Sequence, residues 1–395
     1  MRDRERMSAR VPIYARHRQA IEAVAIAARD PSPIAGLTHR FYRYPARFSP
    51  SFARAAIEAF TKPGDVVLDP YMGGGTTIVE AMVSGRRGVG SDLNELAVFI
   101  ANVKVSRLTV RERRALVHWA DAIVPAITCR EPAPTQIRVP RNMHLPKARW
   151  LRKTIALARQ SIEAELPTER ARNFARCVVL NVGQWALNGR RRIPSVPEFR
   201  LRLTQTAHDM LNAAAELAHA LPANVIRPVL QNLDVEELPL DKNTAAVGPA
   251  DLVVTSPPYP GVHVLYHRWQ VDGRKETDAP YWISGTNDGQ DSSFYNFADR
   301  RREAENGYYQ KAERAFEAVR KVMRDGAILA QLLAFSEPQR QLPRYLRMLN
   351  RTGFVEARAS GMRRVWRHVP GRSWHANLKG DLPSSNEVVL LHVTI

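Results

Sequence analysis

Two short stretches hold the residues best suited to chemistry. The first is "VVTSPPYPG", Val253 to Gly261, where an apolar run ends in Thr255, Ser256, Pro257, Pro258 and Tyr259. Neither proline has an N–H to give to a β ladder, and each fixes φ, so a strand must stop there. The residue before each proline is restricted as well. The product is a stiff loop that holds a hydroxyl, two bare carbonyls and a phenol ring at the edge of a sheet. The second stretch is "LDPYMGGGTTIVEA", Leu68 to Ala81. Its glycines, Gly73, Gly74 and Gly75, let backbone pass close to a ligand between a strand end and a helix start.

This loop is neither of the two common phosphate cradles. It lacks the third glycine of a dinucleotide site, and no lysine follows it as in a Walker loop. Further on, "GVGSD" ends a second apolar segment in Asp92, where a carboxylate can accept both hydroxyls of a ribose. Asp69, just before the loop, can pair with a cationic amine. An adenosine with a charged amino-acid tail satisfies both acids. S-adenosylmethionine is such a ligand, and it has no phosphates for the missing features to bind.

These residues need a sheet to hold them. "GDVVLDP" reads as a buried strand ended by Pro70, and "GGGTTIVEAMVSG" as a helix stopping near Gly85. "RRGVGSD" is a second strand and "NELAVFIANVKVSRL" a second helix. This βαβα alternation predicts an α/β fold with a Rossmann-like, doubly wound, mostly parallel sheet. A helix precedes it, with Ser49 or Ser51 near its N-cap and Pro50 near its start. Strand patterns return at "NVIRPVLQNLD", "ADLVVTS", "GAILAQLLAF" and "GFVEARAS". The last segment, "NEVVLLHVTI", lies within a hairpin's reach and is expected to turn back antiparallel.

From Ser106 to Leu221 the apolar residues recur at helical spacing. Residues 104–221 hold 21 basic and 9 acidic side chains, so +12 of the chain's net +19 lies there. The expected organisation is a basic N-terminal arm over 1–36 with one short amphipathic helix, a catalytic domain over 37–105 and 223–395, and a basic helical insertion over 106–222. A pI near 10.4 favours a polyanionic partner, nucleic acid first. The two cysteines, Cys129 and Cys177, have no metal-ligand spacing and suit a reducing cytosol. His263 and His267 stand four apart without a Glu or Cys at metal spacing, so no metal is expected. The charged N-terminus is no secretory signal and no membrane span is apparent, which predicts a cytoplasmic, nucleoid-associated protein.

Four ordered blocks, "HRFYRYPARFSP", "DPYMGGGTT", "GSDLNELA" and "TSPPY", resemble the DNA amino-methyltransferases, the N4-cytosine and N6-adenine family. The likeness covers about residues 39–104 and 225–335. It implies methyl transfer from S-adenosylmethionine to the exocyclic amine of a flipped base. In that family the segment like Tyr44, Pro45, Ala46, Arg47 and Phe48 closes over the methionine part of the cofactor. Asp69, the glycine loop and Thr76 flank its tail, and Asp92 holds the ribose. Asn232 or Asp234 lies near the adenine amine, and Pro70, Tyr71, Thr77, Leu93 and Thr255 join the cofactor set.

By the same likeness, the Ser256 hydroxyl and the Pro257 carbonyl accept the two amine protons and free the nitrogen lone pair. Pro258 and Tyr259 complete the wall, with the ring stacked on the extruded base. Positioning supplies most of the acceleration, and no cysteine nucleophile is required. Tyr71 stands where the family more often has Phe, and Gly74 where it has Ser or Thr.

Ser-Pro-Pro-Tyr is more usual in the N4-cytosine enzymes, which favours N4 of cytosine. An N6-adenine DNA enzyme, an RNA amino-methyltransferase, a regulator that binds cofactor without catalysis and a nicotinamide oxidoreductase are the alternatives. The order of blocks makes the insertion the target-recognition region. Its candidate contacts to double-stranded DNA are Arg149, Trp150, Arg190, Arg191, Arg192 and Arg200. The loop "RRVWRHVPGRSWHANLKG", with Arg363, Arg364 and Arg372, is a second candidate. The aromatic stretch "HVLYHRWQVDGRKETDAPYWISG" is expected to cover the target strand, and a cognate restriction endonuclease is a further candidate partner.

Overall fold

A computed structural model describes residues 18–30, 32, 34–44, 48–130, 139–190, 192–260, 268–271, 275–289, 297, 305–358, 364–368 and 386–395. Helix α1 spans Arg18–Arg29 and α2 spans Pro50–Phe60. Ser49 caps α2 by accepting from the Phe52 N–H, and Pro50 takes the first turn, where its missing N–H costs nothing. The amphipathic helix expected in the N-terminal arm packs against the domain. Ile21, Val24, Ala25 and Ala28 form one apolar stripe on α1 and bury it in a cluster with Phe52 and Ala56 of α2.

The expected alternation follows: β1 (Val66–Asp69), α3 (Thr76–Val83), β2 (Arg87–Asp92) and α4 (Glu95–Val105). All four residues of β1 are buried, as befits a parallel strand covered on both faces. The insertion contributes α5 (Val110–His118), followed by a π turn (Trp119–Ile123), then α6 (Arg149–Glu165), α7 (Glu169–Leu187) and α8 (Val196–Ala220). Sheet resumes with β3 (Val229–Asn232), a 3₁₀ turn (Val235–Leu240), α9 (Lys242–Val247) and β4 (Ala250–Thr255). A hairpin of β5 (Trp269–Val271) and β6 (Lys275–Thr277) precedes α10 (Ala279–Ser284). The chain ends with α11 (Glu305–Lys321), β7 (Met323–Ala334), α12 (Pro338–Arg351), β8 (Phe354–Glu356), β9 (Trp366–His368) and β10 (Asn386–Thr394).

The main sheet runs β3-β2-β1-β4-β7-β10-β8, with β9 on β10. β3, β2, β1, β4 and β7 are parallel, and β10 is antiparallel to β7, β8 and β9. The last strand therefore turns back as expected, but it inserts between β7 and β8 instead of adding outside β8. Strand order reverses between β1 and β4, and the crevice beyond the carboxyl ends of such strands is where open α/β sheets bind ligands. Asp69 and Thr255 are those two carboxyl ends.

The insertion does not close a core of its own. One cluster joins Leu96, Ala97 and Ile100 of α4 to Phe174 and Val178 of α7, Phe199 of α8, and Trp269 and Tyr281 beyond β4. The aromatic stretch expected to cover a DNA strand is thus partly core. Trp269 donates its indole N–H to the Tyr42 hydroxyl at 2.9 Å, and Tyr281 donates to the Asn94 side chain at 3.1 Å. Buried indole and phenol groups need such partners. His263 and His267 lie outside the described residues.

Candidate active site

Asp69 is the hinge of the arrangement. Its Oδ1 accepts from the Thr255 hydroxyl at 2.7 Å and from the Tyr71 N–H at 3.2 Å, while Oδ2 accepts from the Thr77 hydroxyl at 2.7 Å. One carboxylate therefore ties the end of β1 to the end of β4, to the loop after β1 and to the first turn of α3. Burial pushes its carboxyl up to about 7, against the Thr255 and Thr77 hydrogen bonds that hold it down. Through these bonds Asp69 organises the corner, while Oδ2, with one donor, keeps a lone pair for the expected pairing with a cationic amine.

The glycines are demanded by close packing. Gly75 has φ +71° and caps α3 without a side-chain bond, and an added Cβ there meets the Ala101 Cβ at 2.9 Å. At Gly74 an added Cβ meets the Tyr44 Cβ at 3.0 Å, and at Gly73 it meets the Tyr44 ring at 3.1 Å. Tyr44 thus lies directly against the loop, its hydroxyl accepting from the Asn94 amide at 3.1 Å. Lys104, buried in α4, donates to the Gly74 carbonyl at 2.6 Å. The Tyr44 segment is itself held by the insertion. Asn181 donates to the Arg40 and Phe41 carbonyls, and Gln184 bonds both the N–H and the carbonyl of Arg43. Phe48 is buried against Phe52, whereas Pro45, Ala46 and Arg47 lie outside the described residues.

Asp92 ends β2 beside this loop. Its Oδ2 accepts from the Gly73 N–H and its Oδ1 from the Asn94 N–H, both at 2.9 Å. Burial raises its carboxyl to about 6, and the two backbone bonds oppose that rise. Asn232, its register partner on β3, donates to the Asp92 and Leu93 carbonyls. Asp234 caps the 3₁₀ turn by accepting from the Glu236 N–H at 3.1 Å. Thr76 is buried in the first turn of α3, and Tyr71, after Pro70, packs edge-on to Phe297. Of the cofactor candidates read from the sequence, Asp69, Asp92, Asn232 and Thr255 thus stand at the ends of β1, β2, β3 and β4.

The diproline corner is pinned beyond Thr255. The Ser256 hydroxyl lies 2.9 Å from the Leu332 carbonyl, to which it donates, and 2.7 Å from the Tyr259 hydroxyl. Tyr259 donates to Glu387 Oε1 at 2.9 Å, and Tyr308 donates to the Pro258 carbonyl at 2.8 Å. Pro257 is buried. Tyr259 is only 5% exposed, so its ring is covered here. Stacking on a base requires a face that this arrangement does not present, and the hydroxyl is the group engaged.

The basic candidates divide by partner. Arg200 donates to the Pro125 and Ile127 carbonyls at 2.7 Å, and Arg364 makes a two-pronged bond with Glu356 at 2.7 and 2.8 Å. Both are committed to holding the fold. Arg149 stands over the ring of Trp150, which is 49% exposed. Arg190 and Arg202 flank Trp185 at 4.4 and 5.8 Å, and Arg192 is exposed, 3.8 Å from Glu198. Arg191, Arg363 and Arg372 lie outside the described residues.

Sequence reasoning did not single out Asn94, Lys104, Tyr308, Arg367 or Glu387. An acid at the head of the otherwise apolar "NEVVLLHV" was the one legible signal for Glu387. Among the described residues no group of His, Cys, Asp and Glu is arranged to hold a metal, and no helix is long and apolar enough to cross a membrane.

Residues 17–103 match the DNA methylase family model for N6 and N4 methyltransferases. The chain is 28% identical over 79 residues to the type II methyltransferase M.MjaII of Methanocaldococcus jannaschii, which covers 20% of this chain and 15% of that one. It is 38% identical over 73 residues to the type II methyltransferase M.MvaI of Kocuria varians, covering 18% and 16%. The aligned stretch thus spans only about a sixth of these curated relatives. Among solved structures, TrmN from Thermus thermophilus is similar at 12% identity and a TM-score of 0.35, over 91% of this chain and 53% of that one.

Proposed function

Taking the chain as a member of the DNA amino-methyltransferase family, we propose that it methylates an exocyclic amine of a base in double-stranded DNA, at N4 of cytosine. The cofactor is S-adenosylmethionine. The observation that carries this reading is the Thr255–Asp69 bond, which sets Ser256 one residue from a carboxylate that also anchors the glycine loop. Cofactor and amine pockets then share a wall, as direct transfer between two bound partners demands.

The residues present suit the cofactor. Each Asp92 oxygen accepts one backbone N–H and keeps a lone pair for a ribose hydroxyl. Gly75 leaves the first turn of α3 without a side-chain cap, so its N–H groups and the positive end of the helix suit the carboxylate of an amino-acid tail. Tyr44 covers the loop from one side. When bound, S-adenosylmethionine supplies a methyl group whose bond to sulfur breaks as the nitrogen–carbon bond forms, the bonding pair staying with sulfur.

The chain's own residues position and polarise the amine. Ser256 presents an uncharged oxygen that accepts an amine proton as a hydrogen bond and draws the lone pair out of the ring. A serine there, in place of an acid, supports cytosine as the target. Target reading falls to the basic insertion, with the arginines around Trp185 as phosphate and stacking contacts. The test is expression in a methylation-free host followed by sequencing that detects modified bases. N4-methylcytosine at a defined site is the expected result. N6-methyladenine moves the assignment to the other base, and neither mark overturns it.

A further inference from the structure

From the contacts around Ser256 we infer that Glu387 is the terminal proton acceptor of the reaction, reached through Tyr259. The inference rests on the amine-methylation reading above. Four groups stand in line: Ser256 Oγ, Tyr259 OH 2.7 Å away, Glu387 Oε1 a further 2.9 Å on, and Arg367 Nε 2.7 Å from Glu387 Oε2. Glu387 is 1% exposed and sits on β10, next to β7, which carries Leu332. Arg367 is its register partner on β9 and also donates to the Ala28 carbonyl at 3.3 Å, which fixes the guanidinium from the α1 side.

Proton counting gives this line a direction. Ser256 and Tyr259 have one hydroxyl proton each, yet the line from the Leu332 carbonyl to Glu387 has three oxygen–oxygen contacts. With Tyr259 donating to the carboxylate, the Ser256 proton serves either the Leu332 carbonyl or the Tyr259 oxygen, one at a time. The Glu387 carboxylate, paired with Arg367, accepts the Tyr259 proton as a charge-assisted hydrogen bond, which leaves the Tyr259 oxygen able to accept from Ser256 whenever that hydroxyl turns from the Leu332 carbonyl. The far end of the line, Ser256 Oγ, belongs to a residue that is only partly buried.

Methyl transfer requires such an acceptor. Once the nitrogen–carbon bond has formed, the amine nitrogen is cationic and holds one proton more than the neutral product. That proton passes to Ser256 Oγ as the serine proton moves to Tyr259 and the phenol proton moves to Glu387, which becomes a neutral acid. No atom is left over and neither hydroxyl ends charged. An N-alkylated aromatic ammonium is a strong acid, so a carboxylate stabilised by Arg367 is basic enough to receive it.

Single-turnover methylation, with cofactor affinity measured by calorimetry, tests the relay. Glu387→Gln should lose about 100-fold in the transfer step, within the span for general acid–base groups, while cofactor affinity and KM for DNA change less than about twofold. Glu387→Asp, which keeps a carboxylate, should recover part of the rate. Tyr259→Phe should lose as much as Glu387→Gln, and the two losses should not add. Should Glu387→Gln fail to fold with Arg367 left unpaired, the Arg367→Met, Glu387→Gln pair removes the stranded cation, and Tyr259→Phe keeps the ion pair intact. A Glu387→Gln or paired variant that transfers methyl at the wild-type rate overturns the relay alone. A wild-type chain that transfers no methyl group to DNA overturns the functional reading and the relay together.

Discussion

The Thr255 hydroxyl donates to the Asp69 carboxylate across 2.7 Å, joining the residue before the diproline corner to the residue before the glycine loop. The two lie 186 positions apart in the chain, with the whole helical insertion between them. This bond adds a side-chain tie to the β1–β4 ladder that already sets the two halves of the site side by side. Thr255→Val keeps the shape and removes the donor, leaving a buried carboxylate oxygen short of a partner, at a cost of about 1–3 kcal/mol. Chemical denaturation measures that loss, and an unchanged midpoint would show that the bond is not structural.

Asp69 also sets a pH dependence. Its folded-state carboxyl is raised to about 7 from an ordinary value of 3.8, so the native chain binds more protons than the unfolded one between those values. Its contribution to stability is present in acid and lost as pH rises through about 7. The melting temperature should show this downward trend on approach to neutrality, and Asp69→Asn should flatten it.

Asp92 should couple cofactor binding to pH in the opposite sense. Its carboxyl is raised to about 6 by burial, and ribose hydroxyls donating to it favour the ionised form. Cofactor affinity should weaken as pH falls through 6, with proton release visible by calorimetry in two buffers. Asp92→Ala should weaken binding at every pH. Equal affinity of the variant and the wild type at pH 8 would remove Asp92 from the ribose site.

Ser256→Ala should abolish methyl transfer while leaving cofactor affinity within about twofold. The Ser256 side chain bonds Leu332 and Tyr259, neither of which belongs to the cofactor set. Parallel loss of binding and transfer would instead mark the hydroxyl as a prop for the corner.

Gly75→Ala puts a side chain at φ +71° and a Cβ 2.9 Å from that of Ala101. The left-handed conformation alone costs about 1–2 kcal/mol, and the clash with α4 adds to it. Lowered stability with weakened cofactor binding is the expected pair of results. A stable variant with normal affinity would show that the loop relaxes freely.

Replacing arginines 190–192 by alanine should reduce the slope of log K against log salt for DNA by about 0.9 for each phosphate that the chain no longer neutralises. Arg192 is exposed and Arg190 stacks on Trp185, so neither is consumed inside the fold. An unaltered slope returns this loop to solvent.

Much of this was legible in the residues themselves. Apolar runs ending at Asp69, Asp92 and Thr255, each followed by a turn or helix signal, place the strand ends and hence the crevice. That follows because burial on a parallel sheet leaves a local signature in the chain. The diproline block likewise declares a rigid corner, since proline geometry is independent of context. The likeness of four ordered blocks supplied the expectation of the cofactor and of the chemistry.

Other features have no local signature. Asp69 reads as a ligand group alone, and nothing local announces that Thr77 and Thr255 donate to its two oxygens. The "SPPY" tyrosine reads as a ring alone until Glu387, 128 residues away, is found on its hydroxyl. Gln184 and Asn181 read as ordinary helix surface until they grip the segment that carries Tyr44 over the glycines. The amino-acid order alone determined which elements form and where they must stop, because propensity, periodicity and proline or glycine geometry act over a few residues. Only the tertiary structure decided which polar groups face one another, because β10 reaches the diproline corner and α7 of the insertion reaches the segment before Tyr44 by packing, and packing joins residues that no short window contains.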